Sequence, residues 1–353
     1  MNIIIFVSSL SFGGAEKQAV IDANLLCEKF TIYLVNFWGG PLRSQLNQKV
    51  NYYELKKGGY IGTSIRLIRF IRKNNISLIM SSLFAPITIS SLAALYTRTP
   101  VYWFFHSHEY EIPLRSLLAY KILSKSRTVK KLLFVNNELK ESLSARYLFP
   151  LDKTGIFYNS SQFSKEIKPN VFKEKSERVN IGFVGRVIEL KRIEYLLDLA
   201  DYLNKNGSYN YQIIIVGDGD KLKDLTKSAQ NMKISESVHF EGFQLNTDQY
   251  YRQFDIFVNP SREECLSMVL IDAGMSGIPS VAFDTGGNNE IIINNKTGYI
   301  VATKEEYFIK IKDLIDNREL RKQMGEAASI HCKKLFSLEK HGQELENIVK
   351  LIN

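Results

Sequence analysis

Glu264 and Asp272 stand eight residues apart in a stretch that reads as strand, acidic loop and helix, Asn259-Pro-Ser-Arg-Glu-Glu-Cys-Leu-Ser-Met-Val-Leu-Ile-Asp272. The first acid falls in the loop and the second about one turn into the helix, so both can reach one ligand from one side. Ionised carboxylates accept hydrogen bonds from vicinal hydroxyls, the usual grip on a ribose or hexose ring. Without context, that spacing is better read as a solvated face. Upstream, Gly182-Phe-Val-Gly-Arg-Val-Ile-Glu-Leu-Lys191 puts Arg186 and Lys191 just past an apolar run. A planar fork and a point charge at the carboxyl end of a parallel strand suit a diphosphate, and they would stabilise charge on a departing one. Gly13-Gly14 follows the first apolar run, where small residues let a ligand approach the backbone and the next helix offers free N–H groups to an anion. That pair is not GxGxxG, so the dinucleotide fingerprint is absent.

The elements that must position these residues alternate in βα fashion. Apolar runs predict strands at Asn2–Ser8, Thr31–Phe37, Ser77–Met80, Val101–Phe105 and Lys131–Val135, then at Asn180–Val184, Tyr211–Val216, Val238–Phe240, Asp255–Asn259 and Ser280–Phe283. Runs without polar alternation suit parallel sheets, whose two faces are both covered by helices. Helices are predicted at 16–29, 61–73, 192–204, 222–229 and 268–276, with a mostly helical tail from Glu305. In the second of these, Ile61, Ile65, Ile68 and Ile71 recur at helical spacing, with Arg66, Arg69 and Lys73 on another face. The polar stretch Ser160–Arg178 reads as a linker. Two α/β halves joined in this way put a cleft between them, and ligands bind beyond the carboxyl ends of such strands.

The composition is globular, with 45% hydrophobic and 24% charged residues. Three dispersed cysteines, Cys27, Cys265 and Cys332, argue against a disulfide framework and for a reducing compartment. The N-terminus has no basic region followed by a long apolar one, so no signal peptide is expected, and no stretch is apolar enough to span a bilayer. The net charge of +9 is concentrated. From Lys56 to Lys131 thirteen Lys and Arg face two carboxylates, Glu109 and Glu111. Such a segment attracts anionic partners: a membrane surface, a lipid-linked phosphate or nucleic acid. No stacking or groove-reading motif accompanies the charge, so nucleic acid is not expected.

The chain resembles the retaining glycosyltransferases of family 4, which have the GT-B fold: two Rossmann-like, doubly wound α/β domains facing each other across a cleft. The resemblance rests on Gly-Phe-Val-Gly-Arg with Lys191, Ile215-Val-Gly-Asp-Gly219, Pro260-Ser261 with Glu264 and Asp272, Ser276-Gly-Ile-Pro, and Gly286-Gly287 with Glu290. It implies an N-terminal acceptor-binding domain (1–160), a linker (161–178), a nucleotide-sugar-binding domain (179–335) and a C-terminal helix (336–353) packing back on the first domain. Arg186 and Lys191 then match the donor-diphosphate pair. Glu264 matches the acid that contacts the donor sugar, and Asp272 the acid on the ribose. Gly13 and Gly14 match the N-terminal glycine loop. His106 matches the active-site histidine, with His108 as its rival, and Asn159 matches the turn before the linker. Cys265, Leu266 and Ser267 occupy the donor-binding positions after Glu264, where Gly-Phe-Gly or Gly-Phe-Pro is common. Glu263 rivals Glu264, and Asp272 is one methylene shorter than the usual Glu. Asp218-Gly-Asp220 has DxD spacing but lies in a family turn, so no metal or other cofactor is expected.

The implied reaction moves a hexosyl group from a UDP- or GDP-type sugar to a glycan or lipid-linked acceptor, with retention and without metal. The setting is bacterial capsule or lipopolysaccharide assembly, in the cytoplasm at the inner face of the membrane. Two other readings stay open: a sugar-nucleotide 2-epimerase-like isomerase of the same plan, and a catalytically degenerate glycan-binding paralogue.

Overall fold

The computed structural model describes residues 1–11, 13–107, 114–161, 178–207 and 209–352, and the side chains of all of these except 114–117. Of the expected linker, only Ser161 and Arg178 fall among them; His108 lies outside. The chain divides into two compact units, Met1–Asn159 with Glu339–Asn353, and Ser160–Leu338.

The N-terminal unit runs β1 (Asn2–Phe6), α1 (Gly14–Leu26), β2 (Thr31–Asn36), β3 (Asn51–Glu54), α2 (Tyr60–Lys73), β4 (Ile76–Ser82), α3 (Phe84–Thr97), β5 (Val101–Phe105), α4 (Leu114–Leu123), β6 (Val129–Phe134), α5 (Asn137–Tyr147) and β7 (Thr154–Ile156). The seven strands form one parallel sheet in the order β3-β2-β1-β4-β5-β6-β7. The order reverses between β1 and β4, the switch point at which such sheets bind ligands. The central strands are buried on both faces, with Ile3, Ile4, Phe6, Val101 and Trp103 fully enclosed.

One helix of this unit departs from the sequence expectation. In α2 the buried side chains are Thr63, Ser64, Leu67 and Ile71, whereas Ile61 and Ile65 are 76% and 45% exposed. The cause is close packing on α3. The Ser64 hydroxyl donates to the Ile89 carbonyl at 3.3 Å, and small residues at this crossing let the helices approach closely. The turn that would have buried two isoleucines instead presents them to solvent.

The C-terminal unit runs β8 (Val179–Val184), α6 (Glu194–Asn206), β9 (Tyr211–Val216), α7 (Leu222–Asn231), β10 (Val238–Gly242), α8 (Asp248–Tyr251), β11 (Ile256–Asn259), α9 (Met268–Met275), β12 (Ser280–Phe283), α10 (Asn288–Ile291), β13 (Gly298–Val301), α11 (Lys304–Asp316) and α12 (Arg318–Phe336). Its six parallel strands take the order β10-β9-β8-β11-β12-β13, reversing between β8 and β11. The last helix, α13 (Leu338–Lys350), belongs to the N-terminal unit from Glu339 onward. Leu345 and Val349 join the core of that unit, and the Tyr102 hydroxyl donates to the Ile348 carbonyl at 2.9 Å.

Candidate functional site

In the C-terminal unit, the loops after β8 and β11 flank the switch point and carry most of the chemistry-bearing residues. The turn after β8 is held against the turn after β9: Gly185 N–H donates to the Val216 carbonyl and Val187 N–H to that of Asp218. Gly217 makes this approach possible. Its φ is +146°, and a Cβ there would lie 1.8 Å from the Gly185 carbonyl oxygen. Asp218, the first acid of the DxD-like triplet, accepts from Gly219 N–H at 2.7 Å and so serves the turn itself. Among the described residues, no group of three or more His, Cys, Asp and Glu side chains is arranged to hold a metal ion.

Arg186 is exposed and makes no ion pair among the described residues. Lys191 is placed differently. Its ammonium lies 2.6 Å from Glu264 Oε1, with the two side chains only 18% and 12% exposed. The cation expected at the diphosphate and the acid expected at the sugar are therefore brought together. Asn259, at the end of β11, organises the acidic loop around them. Its Nδ2 donates to Glu264 Oε1 at 3.1 Å and to Ser267 Oγ at 3.0 Å, while its Oδ1 accepts from Ser261 N–H and Oγ. Arg192 ties the β8 and β11 loops together by donating to the Pro260 and Ser261 carbonyls at 2.7 and 3.0 Å. Sequence reasoning missed both residues; the signals were a polar residue closing an apolar strand and a second cation beside Lys191.

Among the other expected donor residues, Leu266 and Ser267 are buried and Cys265 is half-buried. The Cys265 carbonyl accepts from Gly287 N–H at 2.6 Å. Gly286, at φ +55°, sits so close to the loop that a Cβ would lie 2.0 Å from the Glu264 carbonyl oxygen. The first turn of α9 has no side-chain cap, leaving backbone donors of the kind that bind anions. Glu263 is half-buried. Asp272, in α9, is 4% exposed, and its Oδ1 accepts from the Ser161 hydroxyl at 2.6 Å. The sequence expectation had Asp272 and Glu264 reaching one ligand; the structure instead seats Asp272 against Ser161, within the packing of the unit. Cys332 on α12 lies close by, its thiol pushed up to about 12 by burial and by Asp272.

In the N-terminal unit, Gly13 caps α1 with extended backbone, and Gly14 faces open space. The Glu16 carboxylate folds back over Gly13, so the anion expected from outside is already supplied by the chain. Burial raises the pKa of that carboxyl, against a lowering by its hydrogen bonds to its own backbone and to Ser9.

His106 follows β5, with Nε2 3.3 Å from Ser82 Oγ at the end of β4. Burial drives its pKa down to about 4, against the opposing pull of Asp22 and Asn159. His106 is therefore neutral at physiological pH. Its buried Nδ1 has no hydrogen-bond partner of good geometry among the described residues, and neither has Asn159 Oδ1. Asp22 is held by Gln18 and by His341 of α13, each at 2.7 Å, and His341 Nδ1 lies 3.0 Å from the Tyr158 carbonyl. This buried set locks α13, α1 and the end of the N-terminal unit together.

Residues 164–331 match the family described as Glycosyl transferases group 1. The amylovoran biosynthesis glycosyltransferase AmsD of Erwinia amylovora is 29% identical over 195 residues, which is 54% of this chain and 53% of that protein. The chain thus spans about half the length of that relative. The GalNAc-alpha-(1->4)-GalNAc-alpha-(1->3)-diNAcBac-PP-undecaprenol alpha-1,4-N-acetyl-D-galactosaminyltransferase of Campylobacter jejuni is 24% identical over 94% of each chain. In fold, the chain is similar to Anabaena HepE in complex with UDP, with a TM-score of 0.86 at 18% identity over 99% of this chain and 100% of the other. The architecture is that of GT-B glycosyltransferases.

Proposed function

We propose that this chain, whose residues 164–331 match the family described as Glycosyl transferases group 1, moves a hexosyl group from a nucleoside diphosphate sugar to an acceptor hydroxyl, with retention of anomeric configuration. The observation that carries the reading is the placement of Arg186, Lys191 and Glu264 on loops that meet at the switch point of the C-terminal sheet. Arg186 and the uncapped first turn of α9 bind the diphosphate. Lys191 exchanges its contact with Glu264 for one with the donor and neutralises the leaving group, so no metal is needed. Glu264, freed at the same moment, accepts from the sugar hydroxyls. Asp272 is held by the Ser161 hydroxyl within the same unit. For His106 we assign a neutral hydrogen-bonding role, since a ring deprotonated down to about pH 4 is no cation at working pH.

The relatives are named for amylovoran biosynthesis and for a PP-undecaprenol-linked acceptor. A surface-polysaccharide acceptor, free or lipid-linked, is the reading they support for this chain. Among the described residues no helix is long and apolar enough to cross a membrane. The exposed Ile61 and Ile65 on α2, with Arg69, Arg72 and Lys73 further along the helix, support peripheral docking on an anionic bilayer.

The test is a panel of UDP- and GDP-sugars with and without lipid-linked or glycan acceptors, read by release of nucleoside diphosphate and by the anomeric signals of the product. Acceptor-dependent release with an axial-for-axial product supports the proposal. An epimerised donor formed without acceptor, or no turnover with any donor, contradicts it. Sedimentation with phosphatidylglycerol vesicles at low salt tests the docking face, which is excluded if no protein co-sediments.

A further inference from the structure

At the end of the N-terminal sheet where β5 and β6 begin, opposite the carboxyl ends that carry His106, lies a cavity of about 950 Å³. Arg98, Arg127, Lys130 and Lys131 line it, together with Leu351 and Ile352 just past α13, and among the described residues no acidic side chain does. None of the four cations forms an ion pair among the described residues. Their positions are set by rigid backbone. Arg98 closes α3 in a left-handed conformation with φ 61°. The 126–128 turn is braced by a hydrogen bond between the Ser126 and Thr128 hydroxyls at 2.9 Å, and the Thr128 carbonyl accepts from Val101 N–H. Lys131 sits beside Tyr102 in the β5–β6 pairing, and that tyrosine is anchored to α13.

A further cation lies outside the lining but near Lys130. Lys153 is tied to the Ser124 and Ser126 carbonyls at 3.0 and 2.7 Å, and burial lowers its pKa, opposed by Asp152 and reinforced by Lys130. Like charges gathered in one concavity repel one another and attract a counter-anion. Guanidinium and ammonium groups together suit phosphate oxygens, and the apolar Leu351 and Ile352 at the rim suit a less polar portion of the same ligand.

We propose that this cavity is a second anion site, separate from the donor site, that binds a phosphate-bearing molecule, either free or as the headgroup of a lipid. It does not depend on the assignment of the donor site. The test uses the full chain with two probes. In calorimetric titration with inorganic pyrophosphate, Arg127→Gln with Lys130→Gln, both exposed positions, weakens a binding component at least tenfold, whether or not Arg186→Ala weakens another. In the second arm, Ile61→Ser with Ile65→Ser silences the α2 face, and binding to phosphatidylglycerol vesicles is compared with and without the same Gln changes. Loss in the first arm alone identifies a free anion as ligand, and loss in both arms a lipid headgroup. If the Gln variant, folded by circular dichroism, matches its parent in both arms, the site does not exist. Lys131→Gln serves as a second variant with the same reading.

Discussion

Lys191→Ala removes one member of a pair held at 2.6 Å with side chains 18% and 12% exposed. Unit charges 4 Å apart attract by about 4 kcal/mol at an effective dielectric constant near 20, an attraction largely offset by the desolvation of both groups. The single substitution does not recover that desolvation. Glu264 stays enclosed with the Asn259 amide as its remaining side-chain donor among the described residues. Stranding a fully buried charge costs about 3–5 kcal/mol, and the partial exposure here reduces that to about 2 kcal/mol. For a unit of roughly 180 residues this lowers Tm by about 4–8 °C. Adding Glu264→Gln removes the stranded charge, so the double variant should be more stable than Lys191→Ala alone. The cycle should show a coupling of about 1–2 kcal/mol. Differential scanning calorimetry of the four unliganded proteins measures this. The same cycle separates binding from turnover, because Glu264→Gln releases Lys191 for the diphosphate and should bind UDP at least as tightly as wild type while losing transfer. If Lys191→Ala unfolds within 1 °C of wild type, or if the two effects simply add, the pair is a solvated contact and the exchange of partners described above is wrong.

Arg186→Ala should leave Tm within 1 °C, since the side chain is exposed and unpaired among the described residues. It should weaken UDP binding about 10–100-fold, the loss of one charge-assisted hydrogen bond; calorimetry showing unchanged affinity would remove it from the site. For His106, the unfolded ring takes up a proton near its ordinary pKa and the folded ring only near 4, so stability is lost as pH falls through that interval. The loss is at most about 3 kcal/mol. Tm measured from pH 7 to 4 should fall less for His106→Asn than for wild type, and parallel curves would contradict the buried neutral ring. Asp272→Glu restores the acid usual at this position but forces a methylene into a place closed by Ser161. Overpacking should cost about 1–3 kcal/mol, and a thermal scan showing a stabilised protein would mean that Asp272 has room to turn toward a ligand.

The parallel sheets were legible because a strand buried on both faces must be apolar throughout, and runs such as Ile3–Phe6 and Ile213–Val216 have no other economical reading. The strands that escaped notice are edges. β3 is Asn-Tyr-Tyr-Glu and β7 has three residues, so hydrogen bonding on one side fixes them with little help from apolar burial; β13 buries Tyr299 and Val301, but its apolar run is only three residues after Gly298. The rotation of α2 was hidden for a related reason. Isoleucine spacing reports a favourable face, but which face is used was decided by the closest approach available to α3, and Ser64 provides that. The site divides along the same line. Arg186, Lys191 and Glu264 stand out by type and by position after apolar strands, whereas the partners of these groups are set by folding across long stretches of chain. Lys191 meets Glu264 across 73 residues and Asp272 meets Ser161 across 111. Neither pairing follows from periodicity. Each gives its members a partner within the unit, Glu264 for Lys191 and Ser161 for Asp272. Type and spacing thus pick out the candidate groups, while three-dimensional packing determines which of them stand free among the described residues and which already hold a partner.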